Sequence, residues 1–205
     1  MGQKTGTKRA TSSEVPTDKR EAILRAATKV FARSGYFSSK VADIAGEAGI
    51  ADGTVYLYFK SKDEILHSIF DRAMEQFIAE GRRELAAIEK PVDRLRRIAE
   101  LHLERLGADR DTAIVFQVEL RGSIKHMQEF SAAGFAEYLN IIRDTIETGQ
   151  KSGDFRSDIK PIVAAKILYG ALDEMVTNWV LSSRAYPLAP MAGEVLKIFM
   201  DGMRT

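Results

Sequence analysis

Apolar residues recur along this chain at three- and four-residue spacing, and no period-two alternation persists, so the sequence predicts an all-α protein of about nine helices. A first helix from Thr17 or Asp18 to Ser34 carries Ile23, Ala26, Ala27, Val30 and Phe31 on one face, and Gly35 closes it. A short helix opened by Ser38 or Ser39 then buries Val41, Ile44, Ala45 and Ala48, and Gly49 ends it. A second short helix begins near Ala51 or Asp52, with Val55 and Phe59 facing inward. Ser61 and Glu64 make a capping box for a long helix to about Leu85. Pro91 suits the first turn of a helix that carries Leu95, Ile98, Leu101 and Leu106 before Gly107 stops it. Asp109 or Asp111 caps the next, with Ile114, Val115 and Val118. Further helices are expected from about His126 to Ser152 (Phe130, Phe135, Leu139, Ile142, Ile146), from Lys160 to Ser183 and from Ala189 to Arg204.

Two short helices around a glycine turn, followed by an aromatic and basic block, are a helix-turn-helix, and its second helix is the DNA probe. Gly53 removes a side chain near the probe's start, so backbone N–H groups and the small Thr54 can approach a groove or phosphate. Tyr56 and Tyr58 are expected to turn their hydroxyls outward beside Lys60 and Lys62, a set suited to phosphate oxygens.

A chain of 205 residues leaves room for a second core behind such a reader. The expected division is a disordered basic arm over residues 1–17, poor in core-forming residues, a DNA-binding domain over 18–62, and a helical domain over 63–205 for ligand binding and dimerisation. The net charge is only +1, so binding to nucleic acid depends on where the charge sits. The first forty positions are positively skewed: Lys4, Lys8, Arg9, Lys19, Arg20, Arg25, Lys29, Arg33 and Lys40 outnumber Glu14, Asp18 and Glu21. The chain contains no cysteine, which excludes disulfides and thiolate metal sites. The apolar runs are too short and interrupted for a membrane span, and residues 1–17 lack a signal peptide's apolar segment, so the expected location is cytoplasmic.

Residues 44–66 resemble the TetR family of bacterial regulators: Ile44-Ala45, Ala48-Gly49-Ile50, Gly53-Thr54-Val55-Tyr56, Tyr58-Phe59, Ser61-Lys62 and Leu66 stand in that family's pattern. The resemblance implies that Thr54, Tyr56, Tyr58 and Lys62 contact DNA and that Gly53 is the glycine of close approach. Asp52, at the start of the probe, joins this candidate set. Many members have threonine near the start of the first short helix, where this chain has Lys40 and Val41. The phosphate contact expected there is supplied by Ser39 or Lys40, or is missing. The family also pairs through a four-helix bundle built from the last two long helices. Here those helices carry Ile167, Ala171, Met175 and Trp179, and Val195, Leu196, Phe199 and Met203. A homodimer of this kind implies a palindromic operator in double-stranded DNA.

Farther along, AIVFQVELR (113–121), YLNIIRDTIETGQKSGDF (138–155) and ILYGALDEMVTNWV (167–180) resemble FadR-type repressors of fatty-acid degradation. That likeness implies an effector that is a long-chain acyl-CoA and releases the protein from DNA; no cofactor is expected. Leu103, Phe116, Leu120, Phe135, Tyr138, Ile142 and Tyr169 are candidate lining residues of an acyl tunnel, against the more ordinary reading of each as core packing. Arg121 is open to two readings, a ligand for a thioester carbonyl or phosphate, or a structural partner of Asp173 or Glu174.

Nothing in the spacing points to catalysis. His67, His102 and His126 are scattered over different helices without ligand spacing, and neither a nucleophile elbow nor a dinucleotide loop appears. The expectation is a non-enzyme. Two rival functions remain at this stage: a repressor of efflux genes sensing hydrophobic drugs, and a helical lipid-binding protein without DNA binding.

Overall fold

The computed structural model describes residues 15–123, 126, 128, 134–184 and 186–204. Most of the expected N-terminal arm, and Phe130, lie outside these residues. Among them every regular element is helical, and nine α-helices follow one another.

Helix α1 (Val15–Ser34) starts earlier than expected, with Pro16 in its first turn, where a missing N–H loses no hydrogen bond. Next come α2 (Val41–Ala48) and α3 (Asp52–Val55). Helix α2 begins after Lys40 rather than at Ser38 or Ser39, because the Asp43 carboxylate accepts from the Lys40 N–H at 2.7 Å. The Ser39 hydroxyl instead donates back to the Gly35 carbonyl at 2.6 Å. Gly49 turns the chain with φ of 68°, left-handed backbone that a residue with a Cβ rarely adopts. Helix α4 (Lys62–Leu85) is capped as expected: Ser61 Oγ accepts from the Glu64 N–H at 3.1 Å. The Glu64 carboxylate completes the cap on the Lys60 N–H at 2.6 Å.

Helix α5 (Pro91–Ala108) runs through Gly107 instead of stopping there. A Cβ at Gly107 would stand 3.2 Å from Leu188 Cβ, so this glycine admits a neighbouring side chain and does not end the helix. Asp109 then caps α6 (Arg110–Ile114), accepting from the Thr112 N–H at 3.1 Å. Helix α6 runs on into a π turn (Val115–Glu119) and a 3-10 turn (Leu120–Gly122). The bundle closes with α7 (Gly134–Ser152), α8 (Pro161–Leu181) and α9 (Met191–Met203).

Two apolar cores result. The first joins Ile23, Leu24, Val30 and Phe31 of α1 to Ile44, Val55 and Phe59, and to Ile65, Leu66, Ile69 and Phe70 of α4. Val115 and Leu120, from the two turns that follow α6, are also part of it. The second joins Leu95, Ile98 and Leu103 of α5 to Ile142 and Ile146 of α7, Leu168, Leu172 and Val176 of α8, and Leu196 of α9. Each such side chain contributes roughly 1.5–3 kcal/mol when fully buried. Helix α4 serves both cores, since Met74, Ile78 and Leu85 on its second half belong to the second. Packing is therefore continuous across position 62.

The faces expected to pair subunits are divided. Trp179, Leu196 and Met203 are buried within their own subunit, and Trp179 Nε1 donates to the Tyr186 carbonyl at 2.9 Å. Val163, Ile167 and Leu181 of α8 and Ile198 of α9 are instead exposed. The helix period puts them on the side away from the core.

Candidate nucleic-acid interface and ligand cavity

The α2–α3 unit presents Lys40, Asp52, Gly53, Tyr56 and Leu57 to solvent, with Thr54 and Tyr58 half-buried at their edge. Helix α3 is one turn long; hydrogen bonds from the N–H groups of Leu57, Tyr58 and Phe59 back to Thr54 and Val55 carry the coil onward. A Cβ added at Gly53 would meet no protein atom within 4 Å, so the space this glycine leaves free lies outside the protein.

Two sequence candidates stand elsewhere. Ser39 is buried, 3% exposed, with its hydroxyl turned to Gly35, so the exposed set loses it and Lys40 holds that edge alone. Lys62 is half-buried: its ammonium donates to the carbonyls of Tyr36 at 2.6 Å and Ser39 at 2.8 Å, and lies 4.4 Å from the centroid of the Tyr36 ring. It acts as a clamp on the α1–α2 turn. The turn is held from a second side too, because Tyr36 Oη donates to the Asp63 carboxylate. Burial, then this hydrogen bond and the Asp63 charge, raise the Tyr36 phenol above its ordinary range and keep it a donor.

A third hold comes from the far domain. Glu119, in the π turn, accepts from the Tyr36 N–H at 2.6 Å. A π turn carries one extra residue per turn, which re-aims the side chains around it. Here the same short stretch puts Val115 and Leu120 into the reader's core, Glu119 onto Tyr36, and Phe116, Gln117, Leu120 and Arg121 into the wall of a cavity. The histidines are less scattered than their sequence positions imply. His67 and His126 pack edge to face with ring centroids 5.6 Å apart, and His126 Nε2 is 3.5 Å from Asp63. Among the described residues no three metal-ligating side chains converge.

That cavity has a volume of about 560 Å³, within the range of small-molecule sites. Its wall comes from α1 (Arg25, Thr28), α4, α5, α6, α7 and α8, so a helix of the DNA reader is part of it. Of the sequence candidates, Phe116, Leu120, Arg121, Phe135, Tyr138 and Tyr169 line it. Leu103 and Ile142 do not: both are fully buried in the second core. Sequence reasoning missed His102, Gln117 and Phe77 as lining residues. The order polar-after-apolar in LHLER and VFQVE hints at His102 and Gln117.

The inner wall is polar and internally paired. Asp173 accepts from Gln117 Nε2 at 2.8 Å, from Tyr169 Oη at 3.1 Å and from Arg121. Thr177 Oγ1 donates to Gln117 Oε1 at 2.9 Å. Of the two readings of Arg121 the structure shows the ion pair with Asp173, and the same side chain also lines the cavity. Burial, then the Asp173 charge, raises the Tyr169 phenol, which stays protonated.

Residues 23–69 match the family described as bacterial regulatory proteins, tetR family, and residues 70–202 match the C-terminal region of YsiA-like proteins. The chain belongs to the TetR family. It is 35% identical over 181 residues to the fatty acid metabolism regulator protein of Bacillus subtilis, an alignment covering 88% of this chain and 93% of that one. Its fold matches the crystal structure of FadR from Bacillus subtilis in complex with stearoyl-CoA, with a TM-score of 0.84 and 34% identity over 89% of this chain and 98% of that one. The fatty acid degradation regulator FadR from Bacillus halodurans is similar to the same degree, with a TM-score of 0.84 and 32% identity over 90% and 99% of the two chains. This TetR-family member is therefore a transcriptional regulator with close kin among fatty acid regulators.

Proposed function

We propose that this protein is a DNA-binding repressor of fatty-acid-degradation genes, released from its operator by a long-chain acyl-CoA. The observation that carries the reading is the cavity of about 560 Å³ whose wall includes Arg25 and Thr28 of the reader's own first helix, in a chain similar to a stearoyl-CoA-bound FadR. Apolar side chains (Ile69, Met74, Phe77, Leu106, Phe116) suit an acyl chain, and Arg25, Arg72 and Arg105 suit a phosphorylated head. Lys40, Asp52, Gly53, Thr54, Tyr56 and Tyr58 form the DNA face, and Lys62 supports it from behind.

A ligand filling the cavity presses on Phe116, Gln117 and Leu120, and the π turn moves with them. Val115 and Leu120 then shift the reader's core, and Glu119 pulls on the Tyr36 N–H. Operator affinity falls by the difference in ligand affinity between the two conformers, typically about 1–3 kcal/mol in such systems. The protein works as a cytoplasmic homodimer through α8 and α9, without enzymatic activity, and reads two half-sites of a palindrome. The functional units are a reader over residues 18–62, preceded by a basic arm, and an effector and dimerisation domain over 63–205.

The test is operator selection from random duplexes, followed by gel shifts with a chain-length series of acyl-CoAs and with free CoA. Release by C16–C18 thioesters and not by free CoA is the expected result. Unchanged shifts across the series reject the effector, and release by cationic dyes in its place points to a drug-sensing regulator.

A further inference from the structure

Helix α5 brings His102 to the cavity wall, where the residue is only 5% exposed. Its Nδ1 lies 3.1 Å from Tyr138 Oη, its ring stacks on Tyr138, and Phe77 and Tyr169 meet it edge-on. Its Nε2 has no hydrogen-bond partner among the described residues. Burial, opposed in part by the charge of Asp173, pushes its pKa down to about 4, so the imidazole is neutral and carries a single N–H.

The location of that proton follows from counting. With the proton on Nδ1, His102 would donate to Tyr138, leaving both the buried Tyr138 O–H and the Nε2 lone pair without a described partner. With Tyr138 donating to Nδ1, only one group is left over: the N–H on Nε2. Stranding one buried polar group costs less than stranding two. The other polar groups of the inner wall are already engaged. Gln117 and Tyr169 donate to Asp173, Arg121 is paired with Asp173, and the Gln117 oxygen accepts from Thr177. Each of these side chains has a partner, whereas His102 Nε2 has none among the described residues and sits in an apolar and aromatic setting, which fits an uncharged oxygen acceptor.

We infer that His102 Nε2–H is the group that reads the acyl carbonyl oxygen of the bound thioester, and so fixes how deep the chain sits in the cavity. The assignment rests on the acyl-CoA reading above and adds a specificity determinant to it. Stearoyl-CoA and its thioether analogue, S-octadecyl-CoA, differ at this one oxygen and keep the same tail and the same pantetheine amides.

The test is calorimetric titration of the full-length protein with both lipids. Wild-type protein is expected to bind the thioester about ten-fold more tightly, the effect of one hydrogen bond that otherwise leaves a buried donor unpaired. His102→Phe keeps a ring and lacks the N–H, so it should bind the two lipids equally. His102→Gln restores a donor at similar reach and should restore the preference. Equal binding of the two lipids by wild-type protein overturns the assignment without needing any variant to fold. So does a His102→Phe protein that loses the same factor for both. If neither lipid binds wild-type protein, the acyl-CoA reading itself fails and this inference goes with it.

Discussion

Lys62 Nζ donates to the Tyr36 backbone carbonyl at 2.6 Å, so the first residue of α4 pins the turn between α1 and α2. A lysine that looks like a phosphate contact in the sequence is occupied inside the reader, and its expected effect on DNA is through the position of the turn. Lys62→Met is expected to weaken operator binding about ten-fold while leaving the salt dependence of binding unchanged. A lost phosphate contact would instead lower the slope of log K against log salt by about 0.9. Operator titrations at several salt concentrations decide between the two.

Glu119 joins the cavity wall to the reader through the Tyr36 N–H. Glu119→Ala should leave acyl-CoA affinity and unliganded operator affinity within about three-fold of wild type, yet shrink the ligand-induced loss of operator affinity about ten-fold, a coupling change of about 1.4 kcal/mol. Fluorescent operator titrations with and without stearoyl-CoA measure it. Full coupling in the variant would remove Glu119 from the route and leave the shared apolar core to carry the signal.

Ile198 is 78% exposed and Ile167 58% exposed, on the two helices proposed to pair subunits. Charges placed there would have to be desolvated on pairing, so Ile167→Asp with Ile198→Asp should give monomers of normal helicity and normal acyl-CoA binding, but with weakened operator affinity. Light scattering gives the mass directly. A variant that stays dimeric would show that another face pairs the subunits.

Stability should fall with acid in a window set by His102. The unfolded imidazole titrates near 6.5 and the folded one near 4, lowered by burial against the opposing Asp173 charge. Above the unfolded value both states are neutral and no pH dependence arises from this group. As pH drops from about 6.5 to about 4, the unfolded chain binds the proton and the folded one does not, which costs up to about 3 kcal/mol. Below that window both are charged and the loss levels off. Denaturant titrations at pH 7 and pH 5 should show a smaller loss for His102→Phe than for wild type. An equal loss would mean that other groups dominate acid sensitivity.

The sequence by itself determined the helical class, the places where Gly35 and Gly49 turn the chain, and the exposed face of the probe. These follow from local physics: apolar period, caps and backbone freedom act over a few residues. It also carried enough of the motif to name the family. Tertiary structure decided what distance along the chain conceals. Leu103 and Ile142 fell into a solid core while His102 and Gln117 reached the cavity, because a helix side chain's surroundings depend on which neighbour packs over it. Lys62 and Ser39 turned inward because the carbonyls of Gly35, Tyr36 and Ser39 that follow α1 accept from them. Gly107 serves Leu188, a residue far along the chain, and no local rule foresees that. The pairing of Asp173 with Arg121 joins helices more than fifty positions apart, and only the packed bundle brings them together.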